Sequence, residues 1–272
     1  MADNNENQVE QTLYTTAISK GAAMLDETRK LVDYWSSEET LDSFAKRVHE
    51  QGLLGNATAY RTKDIVKRVF ALRYLKPNDK PAIILKKVLY SGLPLRTFNE
   101  LVLLFSARTD PLLYDYTVDA YWPAVRQGRL VLDTDMVANF LSEAVLDGRL
   151  ENIWSDSVTV RIARCLLGFL RDIGYLRNRN RTCREIVNYR VTDETIAILA
   201  RELHEQGVTD SILSEHPDWG LFGLMPHEVI TRLESLGEHR GLIIQQTGSV
   251  VRITWRVNSL EGLIDVLAGK SI

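Results

Sequence analysis

The side chains best placed to do chemistry in this chain are lysines and arginines, gathered in two stretches. Residues 61–87 hold Arg61, Lys63, Lys67, Arg68, Arg73, Lys76, Lys80, Lys86 and Lys87 against only Asp64 and Asp79. Residues 161–190 hold Arg161, Arg164, Arg171, Arg177, Arg179, Arg181, Arg184 and Arg190 against only Asp172 and Glu185. The net charge of the whole chain is −3, so the rest of it is strongly acidic. Positive charge concentrated on an acidic body selects a polyanion, which adheres at the patches and is repelled elsewhere. Arginine suits that task because its planar fork grips phosphate or guanine through two bonds at once.

Catalytic patterns are largely missing. Gly269-Lys270-Ser271 imitates the end of a phosphate loop but lacks the upstream glycine and a following helix. His227-Glu228 opens like a zinc-protease motif, yet position 231 is Thr. The five histidines (His49, His204, His216, His227, His239) show no metal-ligand spacing with Cys165 and Cys183. There is no Gly-x-Ser-x-Gly elbow, and Pro217-Asp218 is not followed by the Glu-x-Lys of a metal-dependent nuclease. The expectation is a non-enzyme with no cofactor and no metal.

The charges need a scaffold, and the sequence describes one. A 272-residue chain with 45% hydrophobic residues has enough apolar material for a core and suits two domains or one large one. Two cysteines are too few for a disulfide framework and fit a reducing compartment. Met1 to Gln11 is polar and acidic, unlike a signal peptide, and no apolar run approaches the ~20 residues of a membrane span. A cytoplasmic protein is expected, with a disordered tail over 1–12, an all-helical domain over 13–149 and a winged-helix-like domain over 150–272.

Helical periodicity dominates the first half. One helix is expected from Tyr14 to Tyr34. Ser36 and Glu39 fit a capping box for the next, which buries Leu41, Phe44, Ala45 and Val48. After Gly52 a helix begins near Thr58, buries Ile65, Val66, Val69, Phe70 and Leu72, and ends before Pro77. Further helices fit Lys80–Tyr90, Leu95–Ala107, Leu112–Arg126 and Thr134–Asp147. In the second half Asp156 to Ile173 carries an apolar stripe of Val158, Ile162, Cys165, Leu166, Phe169, Leu170 and Ile173, closed by Gly174. A basic loop, a strand or wing over Ile186–Val191, a helix over Asp193–Gln206 and another over Pro226–Leu236 follow. Leu242–Gln246 and Val250–Trp255 flank Thr247-Gly248-Ser249 as a hairpin, and Leu260–Leu267 is a final helix. The fold class is mainly α, with a helix-turn-helix-like unit in the first half and short β-hairpins in the second.

In a helix-turn-helix the second helix enters the major groove with its N-terminal residues toward the bases. In the first unit these are Thr58, Tyr60, Arg61 and Lys63. Lys67 and Arg68 lie further along for phosphate, and Lys86 and Lys87 extend the track. In the second, Arg161, Arg164 and Arg171 share one helix face, and Arg177, Arg179 and Arg181 occupy the wing. The competing reading of both stretches is plain solvation: one face of a helical bundle, and a loop paired with acidic helices elsewhere. The five tryptophans (Trp35, Trp122, Trp154, Trp219, Trp255) read as packing residues, and Tyr60 is the best candidate for an exposed aromatic.

The chain resembles the BrxA component of BREX (bacteriophage exclusion) phage-defence systems. The resemblance rests on Tyr14, Gly21 and Glu27, on Trp154-Ser155, on Gly174-Tyr175-Leu176, and on His216-Pro217-Asp218-Trp219-Gly220-Leu221-Phe222-Gly223. It implies a mainly helical cytoplasmic protein that binds double-stranded DNA beside a methyltransferase and other defence proteins. It supplies no catalytic residues. Alternatives are a protein-interaction scaffold of a defence complex, an RNA-binding helical protein, or a transcriptional regulator. No heptad seam marks a dimer, so a monomer is expected.

Overall fold

The computed structural model describes residues 13–237, 241–247 and 250–269. The tail expected over 1–12 lies outside them, as do His239, the Gly248-Ser249 turn, Lys270 and Ser271. The architecture is mainly α with two small antiparallel sheets.

The chain opens with a 3₁₀ turn, Ala17–Lys20, then α1 (Leu25–Tyr34) and α2 (Leu41–Glu50). The single helix expected over Tyr14–Tyr34 is interrupted here. It breaks at Gly21, whose backbone is extended, and at Met24, whose φ is 47°; the carbonyls of Gly21 and Ala22 there accept from the buried Arg73 guanidinium at 2.6 and 2.8 Å. The cap of α2 is also not Ser36. Thr40 takes that role, its hydroxyl accepting from the Ser43 amide at 3.2 Å, while Glu39 pairs with Arg47.

α3 (Ala59–Ile65), a π-helical turn (Val66–Phe70) and α4 (Ala71–Tyr74) run on as one rod. Thr58 caps it by accepting from the Arg61 amide at 3.2 Å. The wide turn absorbs an extra residue and shifts the face of everything after it. Leu72, expected inside, is therefore exposed, and Arg73 and Tyr74 are buried in its place. Then come α5 (Lys80–Ser91) and α6 (Leu95–Thr109). Leu101–Phe105 of α6 is wholly buried, and this helix packs on α4 and α5 and on the later helices Asp156–Ile173 and Asp193–Glu205.

α7 (Pro111–Asp115), a second π-helical turn (Tyr116–Tyr121) and α8 (Trp122–Arg126) form another rod, widened just before Pro123, which has no amide to donate. β1 (Val131–Asp133), α9 (Thr134–Leu146), α10 (Asp156–Ile173), β2 (Leu176–Asn178) and β3 (Cys183–Ile186) follow. The sheet order is β1-β3-β2, with Leu132 opposite Arg184 and Arg177 opposite Glu185. Strand, two helices and a returning hairpin make this unit winged-helix-like. The strand expected over 186–191 is displaced: pairing ends at Ile186, and residues 187–192 connect onward without regular structure. β1 precedes the boundary expected at 149/150, whereas β2 and β3 follow it.

The chain ends with α11 (Asp193–Glu205), α12 (Asp210–Leu213), a 3₁₀ turn (Pro217–Phe222), α13 (Pro226–Leu236), β4 (Leu242–Thr247), β5 (Val250–Trp255) and α14 (Leu260–Leu267). β4 and β5 pair from Leu242–Trp255 inward, so the helix-helix-hairpin succession occurs twice. One cluster of buried apolar side chains runs from Tyr14 to Leu267. Charged ties cross it. Arg108 of α6 donates to both carboxylate oxygens of Glu202 at 2.8 Å and to Asp218 at 2.7–2.8 Å. Glu100, fully buried, accepts from Tyr189, Thr192 and Thr195 hydroxyls at 2.6 Å each.

Candidate nucleic-acid interface

α10 divides its two faces cleanly. Ile162, Leu166, Phe169, Leu170 and Ile173 are buried, and Gly174 closes the helix at φ 103°. Ser157, Val160, Arg161 and Arg164 are exposed. Their spacing of i, i+3, i+4 and i+7 makes them one stripe along the N-terminal half of the helix. Neither Arg161 nor Arg164 forms an ion pair or side-chain hydrogen bond among the described residues. Arg171, a further two turns along, bonds Asp172, its Nε at 2.8 Å from the carboxylate. Charge alone does not single out Ser157 and Val160, although their spacing from Arg161 and Arg164 points to them.

The hairpin after α10 packs against that helix. Arg177 is clamped by Glu185 across the two strands at 2.6 and 2.8 Å, and this bond holds the Glu185 carboxyl below its usual range. Arg179 and Arg181, in the turn, are exposed and form no ion pair among the described residues, although the Arg179 charge also helps hold the Glu185 carboxyl low. Arg184 is buried and donates to the carbonyls of Asn180 and Cys183 at 2.6 and 3.1 Å, bracing the turn from below. Cys165 lies beside this face, but burial pushes its thiol pKa up, which disfavours the reactive thiolate.

The first stretch is bound up in pairs. Asp64 draws in Lys20, Arg61 and Arg68 at 3.9, 3.2 and 3.5 Å. Arg61 also donates to the Lys20 carbonyl at 2.7 Å. Asp42 takes Lys63 and Lys67 at 3.2 and 2.6 Å, and hydrogen bonds from Lys67 and Lys63 hold its carboxyl below the usual range. Lys80 meets Glu205 at 3.1 Å and Lys87 meets Asp265 at 2.6 Å. Lys86 donates to the Trp35 carbonyl at 2.8 Å. Five cations around Asp42 and Asp64 still leave this surface positive, and Tyr60 stands out of it at 77% exposed. Thr58 spends its hydroxyl oxygen on the cap.

A separate crevice of about 500 Å³ lies between Trp122, Tyr189, Phe222 and α13, with Arg190 and His227 at its edge. Trp35, Trp122 and Trp219 are core residues, and Trp154 and Trp255 are partly buried against the core. Among the described residues, no group of three or more His, Cys, Asp or Glu side chains is arranged to hold a metal ion. No described helix is long and apolar enough to cross a membrane.

Fold and surface together define a mainly helical protein whose winged-helix-like unit presents arginines that have no ion pair among the described residues. The chain belongs to the BrxA family, whose model matches residues 12–202. That membership makes it a component of a BREX phage-defence system. A solved structure of an uncharacterized protein from Magnetospirillum magneticum shares the fold, with a TM-score of 0.57 and 20% identity over 71% of this chain and 94% of that one. No curated protein matches the sequence. Several residues that carry the resemblance are structural ties. Tyr14 donates to Asp115 at 2.7 Å, Tyr175 to the Leu221 carbonyl at 2.8 Å, and the Trp219 indole to the Leu213 carbonyl at 2.7 Å. The 216–223 segment lies beyond the family match.

Proposed function

We propose that the chain is a non-enzymatic, double-stranded-DNA-binding component of its BREX system, working in the cytoplasm beside other BREX proteins. The observation that carries this reading is the exposed stripe Ser157, Val160, Arg161 and Arg164, on the N-terminal half of a helix followed by a wing. A recognition helix meets the major groove with that part of its length. Two guanidiniums without carboxylate partners keep their charge for phosphate or guanine. In the helix-turn-helix-like first unit, Tyr60, Lys63 and Arg68 supply a weaker second surface, because Asp42 and Asp64 compete for its cations.

A competition experiment tests this. A labelled DNA duplex of about 20 base pairs, bound to the protein, is challenged with unlabelled duplex DNA or duplex RNA of the same sequence. The RNA major groove is too deep and narrow for a helix. DNA is therefore expected to displace the probe at a concentration about tenfold lower than RNA. Equal competition, or no binding at about 50 mM salt, refutes the reading.

A second reading, docking onto a protein of the same system, draws on Leu130, Leu146 and Ile153. These apolar side chains are 77%, 88% and 56% exposed. It predicts that changing all three to Ser abolishes co-purification with a BREX partner and leaves DNA affinity unchanged.

A further inference from the structure

We propose that the crevice between Trp122, Tyr189, Phe222 and α13 is a binding site for a nucleoside monophosphate. This goes beyond the DNA reading above and does not depend on it.

The crevice holds about 500 Å³. That is within the range of small-ligand sites and several times the roughly 150 Å³ that takes up one benzene ring. Its walls are held in place. The Trp122 indole donates to the Leu221 carbonyl at 2.9 Å, and the Tyr189 hydroxyl donates to Glu100 at 2.6 Å. The Arg96 guanidinium lies 3.9 Å from the centre of the Tyr189 ring and also binds the Arg190 carbonyl, which fixes the connector that forms one wall. The polar tips of Trp122 and Tyr189 are thus spent within the protein. With Phe222 and Leu224 these rings line the crevice with carbon. A wall held in this way loses little further entropy when a ligand enters.

The polar groups of the lining differ in what they have left to give. Arg190 is exposed, and its guanidinium has no ion pair or side-chain hydrogen bond among the described residues. Arg232 is already taken by Asp193 and by the Val191 carbonyl at 2.9 Å. On α13, one oxygen of Glu228 accepts from the Met225 amide at 2.8 Å, and its other oxygen is left to accept from a ligand. The Thr231 hydroxyl donates to the His227 carbonyl at 2.9 Å and keeps its own lone pairs for accepting. One available cation, two acceptors and apolar walls around more space than a single ring fills describe a ligand with a flat ring, hydroxyl groups and one anionic end. A nucleoside monophosphate has all three. Its base meets the apolar walls, its sugar hydroxyls donate to Glu228 and Thr231, and its phosphate meets Arg190, whose planar fork grips two oxygens at once. A simple aromatic acid leaves the acceptors of α13 unused, and a triphosphate brings more negative charge than one available arginine balances.

Calorimetric titration of the full chain with AMP, GMP, CMP and UMP tests this. At least one is expected to bind with a Kd below about 1 mM. The matching nucleoside, which lacks the phosphate, and ribose 5-phosphate, which lacks the base, are each expected to bind at least about tenfold more weakly. Arg190→Ala should erase the advantage of the nucleotide over the nucleoside and leave thermal melting unchanged, because that side chain has no bond to lose. Thr231→Trp, which fills the crevice from the exposed side of α13, should abolish binding of both. If none of the four nucleotides binds with a Kd below about 1 mM, the site assignment is overturned. Nucleotide binding undiminished in Arg190→Ala overturns it too, whether or not Thr231→Trp folds. DNA binding stands in either case.

Discussion

The unpaired cations on α10 and the wing fix how binding responds to salt. Arg161 and Arg164 on the helix, with Arg179 and Arg181 on the turn, make four charges without an ion pair among the described residues. Each phosphate neutralised contributes about 0.9 to the slope of log affinity against log salt, so four give a slope near −3.6, or about a 150-fold loss of affinity between 50 and 200 mM. Arg161→Ala/Arg164→Ala removes two of the four. The slope should fall to about −1.8 and the loss over the same range to about 12-fold. Fluorescence anisotropy of a labelled duplex at four salt concentrations reads both slopes. Thermal melting should be unaffected, since neither guanidinium holds a structural bond. A variant slope equal to that of the unaltered protein would show that these arginines do not meet phosphate. A flat dependence in the unaltered protein would dismiss the phosphate-gripping surface altogether.

Three further outcomes follow from packing and charge. Lys63→Gln/Arg68→Gln should leave the slope nearly unchanged, because Asp42 and Asp64 already hold those cations; a drop of about 1.8 would mean that the pairs dissolve on DNA. Arg108→Ala leaves Glu202 and Asp218, with side chains 4% and 6% exposed, without their counter-charge and should cost about 3–5 kcal/mol in urea unfolding; a cost under about 1 kcal/mol would refute the tie. The glycines should answer oppositely. Gly168→Ala in mid-α10, where a Cβ meets nothing within 4 Å, should stabilise by about 0.5–1 kcal/mol. Gly223→Ala, with φ 69° and a Cβ placed 2.5 Å from the Trp122 ring, should destabilise and alter tryptophan fluorescence.

Much of the scaffold is legible in the sequence where one helix buries one continuous stripe. The limits of α10, Asp156 and Ile173, follow from its apolar periodicity and from Gly174, and those of α13 and α14 read as directly. Legibility fails where a distant residue intervenes. Nothing local reveals that Arg73 claims the carbonyls of Gly21 and Ala22, 52 and 51 residues away, where the first helix is interrupted. Nor does periodicity foresee a π-helical turn at Val66–Phe70, since one extra residue reverses the burial of Leu72 and Arg73. Strands of three or four residues, such as β1 and β3, are too short for alternation to register.

The candidate surface shows the same division between sign and pairing. The sequence places seventeen cations in two stretches but does not say which carboxylates they meet, because those lie as far off as Asp265, 178 residues from Lys87. Only six of the seventeen, Lys76, Arg161, Arg164, Arg179, Arg181 and Arg190, lack an ion pair or side-chain hydrogen bond among the described residues, and five of these belong to the second stretch. A cation already paired near the surface gains little from a phosphate, because it gives up one partner for another. An unpaired one exchanges only counterions and water. By that argument the stretch of greater formal charge, 61–87, is the weaker anion-binding surface. Its pairs join α2 to α3, α5 to α11 and α5 to α14, and so serve chiefly to fasten helices to one another.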